Sequence, residues 1–403
     1  MKNKILYWTF IISACGLLAI GRIYDARLSI FGINLVSILS TFYFFSCSYL
    51  VFSTRNIVFT KTKFLLYFFY LSVIIFTPIL WLFFGVTEFG YINYINFIFI
   101  IVPISFVVIE RFDRKDILNM LYILLSVVLF LALLSSVGLS ISDRPDGRLA
   151  TLGGGPIVFA RWMGLGIISL ILLPIEINKK YKLFFILLFL LMAFSSGSRG
   201  PILSLIVTSF VYLILNFNKV FIKFSLMIGV ILLIFLSTNL SSELSNLGKF
   251  DRVFMNVSKK GGSLKSTSTR AKFVTSSLNM IKNYPLGVGS GNWQPISNEL
   301  RPNDLTPDDL QYPHNIFLEV ACEYGVVSLL LILFLFIYVF YLSFIKMKKY
   351  KKHKTSLYKA LFYLLIFFSF NSLLSGMLND SRLLFLVMSF IIVSKPLIKV
   401  KEC

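Results

Sequence analysis

Charged residues are scarce in this chain of 403 residues. Asp, Glu, Lys and Arg together make up 14% of the sequence, whereas a soluble globular domain carries about 25%. Apolar residues make up 57%, and Phe alone occurs 43 times. A soluble domain with a polar surface cannot bury that amount of apolar side chain in one core. The composition therefore excludes an ordinary soluble protein and predicts an all-α integral membrane protein.

Histidine and cysteine are also scarce, which bears on metal and disulfide chemistry. The chain has two His and four Cys. Cys15, Cys47 and Cys322 lie inside apolar runs and Cys403 ends the chain, so their spacing supports neither a disulfide framework nor a zinc site. We expect no bound metal and no cofactor.

Acidic residues are the rarer charged type, and the formal net charge is +21. An excess of this size can indicate nucleic-acid binding. Here the basic residues lie between apolar runs rather than on one soluble face. We therefore expect membrane lipids, and not nucleic acid, as partners of the chain.

Apolar runs long enough to cross a bilayer recur along the whole chain, since about 20 apolar residues span the hydrocarbon core. They predict about twelve transmembrane helices, at residues 5–20, 29–52, 64–84, 92–109, 117–139, 156–175, 183–197, 201–217, 224–238, 315–344, 360–379 and 383–394. The chain then divides into helices 1–9 (residues 1–238), one large polar loop with short helices (239–314), and helices 10–12 with a C-terminal tail (315–403).

The short loops set the expected orientation, because Lys and Arg concentrate in cytoplasmic loops. With the N-terminus inside, the Lys-rich segments 179–182, 346–359 and 395–401 are cytoplasmic. Both termini are then cytoplasmic and the large loop is periplasmic. In this arrangement ten of the 13 Arg lie on the outer side. A guanidinium binds phosphate and carboxylate better than an ammonium does, so an anionic substrate is predicted there, against the alternative of lipid headgroup contacts.

The first candidate residue is Arg199, in a Ser198-Arg199-Gly200-Pro201 sequence at the start of a predicted helix. Ser198 can cap that helix and Pro201 fits its first turn. Arg199 then lies at the outer membrane edge beside small residues that let a ligand approach. An interfacial Arg that only reaches toward water is the alternative.

The second candidate is Arg270, where a helix is predicted to start inside the large loop. Helical spacing gives this helix one apolar stripe, of Ala271, Val274, Leu278 and Ile281. Arg270 falls on the stripe and at the helix N-terminus, two unfavourable positions for a cation that a bound anion would offset. A buried pair with an acidic residue is the alternative. The Gly-rich turn 286–292 that follows lacks a subsequent helix and a P-loop Lys, so no nucleotide site is expected.

The third candidate is His314, at the start of the tenth predicted helix. The helix dipole disfavours imidazolium there, so the ring should be neutral and able to act as a base. Tyr312 and Asn315 flank it as candidate substrate-binding residues. A structural role is the alternative for a lone His. Glu319 and Glu323 lie around the helix from His314 and are expected to contact neighbouring helices.

A fourth candidate is the outer stretch around Arg148, where glycines 153–155 expose backbone N–H groups before the sixth helix. Arg161 follows about one turn inside that helix. Arg148 and Arg161 are candidate anion contacts, and a flexible hairpin is the alternative.

In their order and topology these motifs resemble the O-antigen polymerase and O-antigen ligase superfamily of bacterial membrane glycosyltransferases. The resemblance lies in Ser198-Arg199-Gly200, in an Arg-started helix that runs into a Pro-x-x-Gly-x-Gly segment between Arg270 and Gly289, and in His314-Asn315 with Glu323-Tyr324-Gly325. It covers roughly residues 190–330, and the earlier part of the chain matches mainly in hydropathy. The sequences Ser-Gly-Ser-Arg-Gly-Pro and Pro-His-Asn-Ile-Phe-Leu-Glu look closer to the polymerases.

The resemblance implies that a glycan is transferred from undecaprenyl pyrophosphate to an acceptor hydroxyl on the periplasmic face of the inner membrane. Arg199 and Arg270 would stabilise the pyrophosphate leaving group without a metal, and His314 would take the acceptor proton. A chain-length regulator protein is a candidate partner. The acceptor is another lipid-linked repeat unit in a polymerase and lipid A–core in a ligase. A transporter of lipid-linked sugars is disfavoured, because charge is nearly absent from the helix interiors.

Overall fold

The computed structural model describes residues 4–20, 28–30, 33–54, 60–138, 149–151, 154–216, 262–300, 312–349 and 356–394. Its helices are α1 (Lys4–Ala19), α2 (Leu35–Phe52), α3 (Lys61–Phe84), α4 (Glu88–Asn96), α5 (Val102–Arg111), α6 (Arg114–Ser136), α7 (Pro156–Leu172), α8 (Lys179–Ser195), α9 (Arg199–Asn216), α10 (Gly262–Asn283), α11 (Trp293–Leu300), α12 (Ile316–Lys349), α13 (Leu357–Ser375) and α14 (Arg382–Val393). A π-helical turn (Phe97–Ile101) joins α4 to α5 as one continuous segment.

The predicted fold class, an all-α integral membrane protein, is confirmed. Within the described ranges seven helices are long and apolar enough to cross a membrane, and α1 and α7 are shorter apolar helices. Eleven of the predicted runs coincide with helices of the structure. The run 224–238 lies outside the described residues, so the count of twelve stays a prediction, as do the three regions with boundaries at 238 and 314.

The core of the bundle lies around α13 and α14, where side chains are buried on every side of each helix. Helices α3 and α12 instead keep apolar faces exposed, which include Leu82, Phe83, Phe334 and Ile337. An exposed apolar face of this kind is suited to lipid rather than water. The bundle therefore has a protein core and a lipid-facing surface.

The second helix starts later than predicted, at Leu35 instead of residue 29. Residues before it form a two-residue antiparallel pair, β1 (Ser29–Ile30) with β2 (Ile33–Asn34). The Asn34 side chain accepts a hydrogen bond from the Val36 N–H at 2.8 Å. That cap satisfies an N–H of the first helical turn and fixes the start of α2.

The tenth predicted helix, 315–344, is not continuous. Gly325 has φ 82° and ψ 172°, a conformation that is readily accessible only to glycine. α12 therefore consists of a short helix up to Tyr324 and a longer one from Val326 that crosses the membrane region.

The break is closed by residues 285–289, which we call the bridging segment. The N–H groups of Val288 and Gly289 donate to the carbonyls of Cys322 and Glu323, at 3.0 and 2.8 Å. The N–H of Val326 donates to the Pro285 carbonyl at 2.9 Å. A helix break leaves such groups without their i→i−4 partners, so the bridging segment replaces the hydrogen bonds that α12 loses.

Candidate active site

His314 lies in the turn that leads into α12. Its φ is 56°, and it is the one non-glycine residue with positive φ among the described residues. His is one of the residue types that tolerate this region best. The imidazole stacks on the Phe273 ring of α10 with centroids 5.9 Å apart, and the Tyr312 ring is 4.0 Å away. The strained turn and the two rings fix the direction of the imidazole.

Asn315 fixes the start of α12 immediately after His314. Its Oδ1 accepts hydrogen bonds from the N–H groups of Phe317 and Leu318, at 2.9 and 3.2 Å. Its Nδ2 donates to the Leu373 carbonyl of α13 at 3.2 Å. Asn315 thus joins the start of α12 to the end of α13, while roles for Asn315 and Tyr312 in substrate binding stay predictions.

The surroundings of His314 keep its ring neutral. Its pKa is lowered from 6.5 to about 4, mainly by burial and also by the positive charges of Arg270 and Arg161, while the Asp380 carboxylate acts in the opposite direction. The lowered pKa supports the expected neutral imidazole, and burial together with two Arg is its cause. Its Nδ1 is buried and has no hydrogen-bond partner among the described residues.

Arg270 is exposed on α10, and its charge acts on His314. The prediction that it starts a helix is wrong, since α10 begins at Gly262. The Ser and Thr residues that precede Arg270 belong to the same helix. Arg270 therefore lies away from the N-terminal end, and the argument from the helix dipole does not apply to it.

The buried face of α10 is also different from the predicted one. Phe273, Ser276, Ser277 and Met280 are buried, whereas Ala271 and the next two residues of the predicted stripe, Val274 and Leu278, are exposed and Ile281 is half-buried.

Helical spacing offers two adjacent apolar faces on α10, and spacing alone does not decide which one is covered. In the structure Phe273 and Met280 pack with Val288, Trp293 and Cys322 in a second small core. The larger side chains gain more from burial, which favours this face.

Arg161 is buried on α7 and binds protein backbone. One Nη donates to the Asp380 carbonyl at 3.1 Å, and the other donates to the Ser375 carbonyl at 3.1 Å. The guanidinium thus ties α7 to the end of α13 and to the turn before α14. Its predicted role as a substrate contact stays a prediction, and Arg148 lies outside the described residues.

Asp380 is a site residue that sequence reasoning missed. It belongs to a 3₁₀ turn (Asn379–Ser381), which is held by a 2.7 Å hydrogen bond from Asn379 Nδ2 to the Asn93 carbonyl. The available signal was the polar run at 379–382 between two apolar helices. The structure brings its carboxylate into electrostatic range of His314.

Arg199 is the first residue of α9, as predicted, and it is exposed. A Cβ at Gly200 would lie 3.2 Å from Ser375 Oγ, so the start of α9 contacts the same serine that binds Arg161. The start of α9 therefore lies beside the end of α13, and Arg199 is not among the charges that shift the His314 pKa.

Glu319 and Glu323 support neighbouring segments, as expected. The Leu378 N–H donates to Glu319 Oε2 at 2.8 Å, and the N–H groups of Gly291 and Trp293 donate to Glu323. These buried carboxylates hold the turn before α14 and the Gly-rich turn against α12.

The Gly-rich turn 286–292 is used for packing between helices. Trp81 Nε1 donates to the Ser290 carbonyl at 3.0 Å, and Asn292 Nδ2 donates to the Gly85 carbonyl at 3.0 Å. The turn is followed by α11, so the expectation that no helix follows it is wrong. Asn292 starts that helix, as its carbonyl accepts the Ile296 N–H. The turn therefore joins α10 and α11 to the end of α3.

Residues 184–333 match a protein-family model described as O-antigen ligase. Members of that family are glycosyltransferase-like enzymes. The matched segment contains Arg199, Arg270 and His314 together with the bridging segment and the break in α12. A comparison with curated proteins finds no match for the chain. The family match confirms the resemblance: this multi-pass membrane protein carries an O-antigen ligase family domain at residues 184–333, which supports its place in the O-antigen polymerase and ligase superfamily.

Proposed function

We propose that this chain is an O-antigen, or surface polysaccharide, polymerase. It transfers a glycan from undecaprenyl pyrophosphate to the non-reducing sugar of another lipid-linked repeat unit, on the periplasmic face of the bacterial inner membrane. The observation that carries the proposal is the neutral His314 beside the positive charges of Arg270 and Arg161, in a chain with an O-antigen ligase family domain.

His314 serves as the base for the acceptor. The acceptor hydroxyl oxygen forms a bond to the anomeric carbon of the donor glycan, and the bond from that carbon to the pyrophosphate oxygen breaks. The hydroxyl proton passes to the neutral imidazole. A base with a pKa near the working pH is the most effective, and binding of an anionic pyrophosphate would raise the His314 pKa by offsetting the charge of Arg270.

The exposed Arg270 and Arg199 bind the pyrophosphate and stabilise the negative charge that develops as it leaves. Stabilisation of this kind by preorganised donors is often the largest contribution to catalysis. The two guanidinium groups supply the positive charge that a metal ion supplies to the leaving group in metal-dependent enzymes. The proposed reaction is therefore metal-independent. Activity that persists in excess EDTA would support this part, and activity restored only by a divalent ion would contradict it.

A ligase is the second candidate, because the family description names an O-antigen ligase. Donor and leaving group are the same in both reactions, and only the acceptor differs. The proposed site therefore serves either reaction, and the identity of the acceptor has to come from an experiment.

The deciding experiment examines the surface lipopolysaccharide of a deletion strain that carries the wild-type chain, Arg199→Ala, Arg270→Ala or His314→Ala. A polymerase defect leaves single repeats on the core and removes the ladder of longer chains. Polymer that accumulates on undecaprenyl pyrophosphate, together with a lipid A–core that carries no repeat units, would instead establish the ligase. An unchanged ladder in all three variants, at normal protein levels, would overturn the catalytic assignment and favour a transporter of lipid-linked sugars.

A further inference from the structure

The exposed face of α10 carries apolar side chains that the second small core leaves uncovered. Val274 is 42% exposed and Leu278 is 55% exposed, and Leu286 in the bridging segment is 74% exposed. Three such side chains along one short stretch are unusual for a surface that faces only water.

These side chains continue the lipid-facing surface of α12. The bridging segment is hydrogen-bonded to the break in α12, and a Cβ at Gly325 would lie 3.0 Å from the Leu286 Cα. Immediately beyond the break, Val327 and Leu330 are exposed, and the exposed face extends along the helix through Phe334 and Ile337. Spacings of three and four residues place these side chains on one face of α12. Leu286 therefore lies at the start of this exposed face of α12 and, in the chain, directly after α10.

The other end of this surface leads to the candidate active site. Val274 lies one helical turn after Arg270, so the two side chains are neighbours on α10. Arg270 is exposed and its charge acts on His314. We call Val274, Leu278, Leu286, Val327 and Leu330 the apolar track. It extends from the lipid-facing side of α12 to the cation beside the proposed base.

We infer that the apolar track binds the polyprenyl chain of the donor while Arg270 contacts its pyrophosphate. The inference rests on the proposed function and names the part of the chain that recognises the lipid half of the donor. A long apolar chain with an anionic end matches both the exposed apolar side chains and the cation at their end. The chain leaves the bilayer along α12 and follows α10 for roughly 20 Å, the length of thirteen helical residues, to reach Arg270.

The test compares two donors that carry the same glycan and pyrophosphate on an undecaprenyl chain or on a short, water-soluble prenyl chain. The variants Leu278→Ser and Leu286→Ser are measured beside Leu133→Ser, a similarly exposed leucine on α6. For the two track variants we expect kcat/KM to fall about tenfold or more with the undecaprenyl donor, because covering a leucine side chain is worth that much. With the short-chain donor kcat/KM should stay at the wild-type value, and Leu133→Ser should change neither.

Equal losses with both donors, or no loss with the undecaprenyl donor, would overturn the inference. If the track bound only ordinary membrane lipids, the two track variants in detergent would show no loss of kcat/KM with the undecaprenyl donor. Because the substituted side chains are exposed, thermal unfolding of the variants should match that of the wild type, which excludes misfolding as the cause of a selective loss.

A binding measurement separates the track from the proposed function. Undecaprenyl pyrophosphate and a short-chain prenyl pyrophosphate, both without glycan, are titrated against the full-length protein. The wild type should bind the long chain more tightly, and Leu278→Ser should lose that difference. If the difference is found but no glycan donor is turned over, the track is supported and the polymerase is wrong. If the wild type shows no preference for the long chain, the track is wrong.

Discussion

The two ends of the helix bundle use charged side chains in different ways. α3 spans them, since its residues Lys61–Phe84 cover about 35 Å. At the end where α3 begins, Lys63 Nζ binds Glu110 Oε2 at 2.8 Å and the Tyr67 hydroxyl donates to Glu110 Oε1 at 2.7 Å. There the Tyr7 hydroxyl also donates to Asp116 Oδ1 at 2.7 Å.

The end where α3 finishes contains the candidate site, and its polar groups are arranged differently. Arg199 and Arg270 are exposed, and His314 Nδ1 has no hydrogen-bond partner in the part of the chain that is described. Buried charges are normally paired, because an unpaired one is costly. The comparison shows that the charged side chains at the first end bind partner side chains, whereas the second end combines buried charges that bind backbone with two exposed Arg and a neutral His.

Replacing His314 should have the largest effect on glycan transfer. His314→Asn keeps a polar side chain but removes the base, so we expect kcat to fall by about 10²–10⁴-fold. Glu110→Gln, at the opposite end, should leave kcat per folded molecule unchanged. A rate assay with purified protein and lipid-linked donor measures both. Similar losses in the two variants would mean that the two ends do not differ in function.

Arg270→Gln should lower kcat by about 10²–10³-fold, the usual cost of losing one donor that stabilises an anionic leaving group. Lys282→Gln is the matched control, since Lys282 is an exposed cation in the last turn of the same helix. A comparable loss in Lys282→Gln would show that α10 contributes only general positive charge.

The pH dependence of kcat/KM tests the coupling between Arg270 and His314. The base must be neutral, so activity of the wild type should fall on the acid side near the His314 pKa of about 4. Arg270 lowers that pKa, and Arg270→Gln should therefore move the acid limb to higher pH. Burial and Arg161 still depress the pKa in the variant and Asp380 still raises it. An acid limb that stays in place or moves to lower pH would contradict the coupling.

At the opposite end the expected loss is one of stability. Glu110→Ala leaves Lys63 without its carboxylate, and breaking a buried pair costs about 3–5 kcal/mol. The double variant Lys63→Met/Glu110→Met removes both charges and should regain most of that loss. Thermal unfolding in detergent measures the difference. Equal melting temperatures of the single and double variants would show that the pair does not stabilise the bundle.

The bridging segment provides the smallest predicted effect. Gly287 has φ 92°, and a Cβ there would lie 2.6 Å from the Gly325 N and 2.7 Å from the Glu323 carbonyl oxygen. Gly138 has φ 77° with nothing within 4 Å of such a Cβ. Gly287→Ala should therefore cost about 1–3 kcal/mol of stability beyond the cost of Gly138→Ala. Equal costs would mean that backbone strain alone accounts for both substitutions.

Hydropathy predicted most of the membrane helices, since lipid requires long apolar helical segments whatever their packing. The start of α9 at Arg199 also followed from local rules, whereas the lowered pKa of His314 depends on burial and on Arg270 and Arg161, which are distant in sequence. The break at Gly325 did not follow from local rules, because its cause is a hydrogen-bonded segment distant in sequence. Asp380 and the buried face of α10 likewise depend on which segments meet in space, and one sequence does not contain that information directly.

The bridging segment has a consequence for exchanging parts between related chains. Residues 285–289 supply the hydrogen bonds that α12 lacks at Gly325, and the same segment packs against the end of α3 through the turn that follows it. A chimaera that takes its large loop from one relative and α12 from another would combine hydrogen-bond donors and acceptors from two different parents. Recombination is therefore expected to succeed when the crossovers lie before α10 and after Val326. The bridging segment and the break in α12 then come from the same parent.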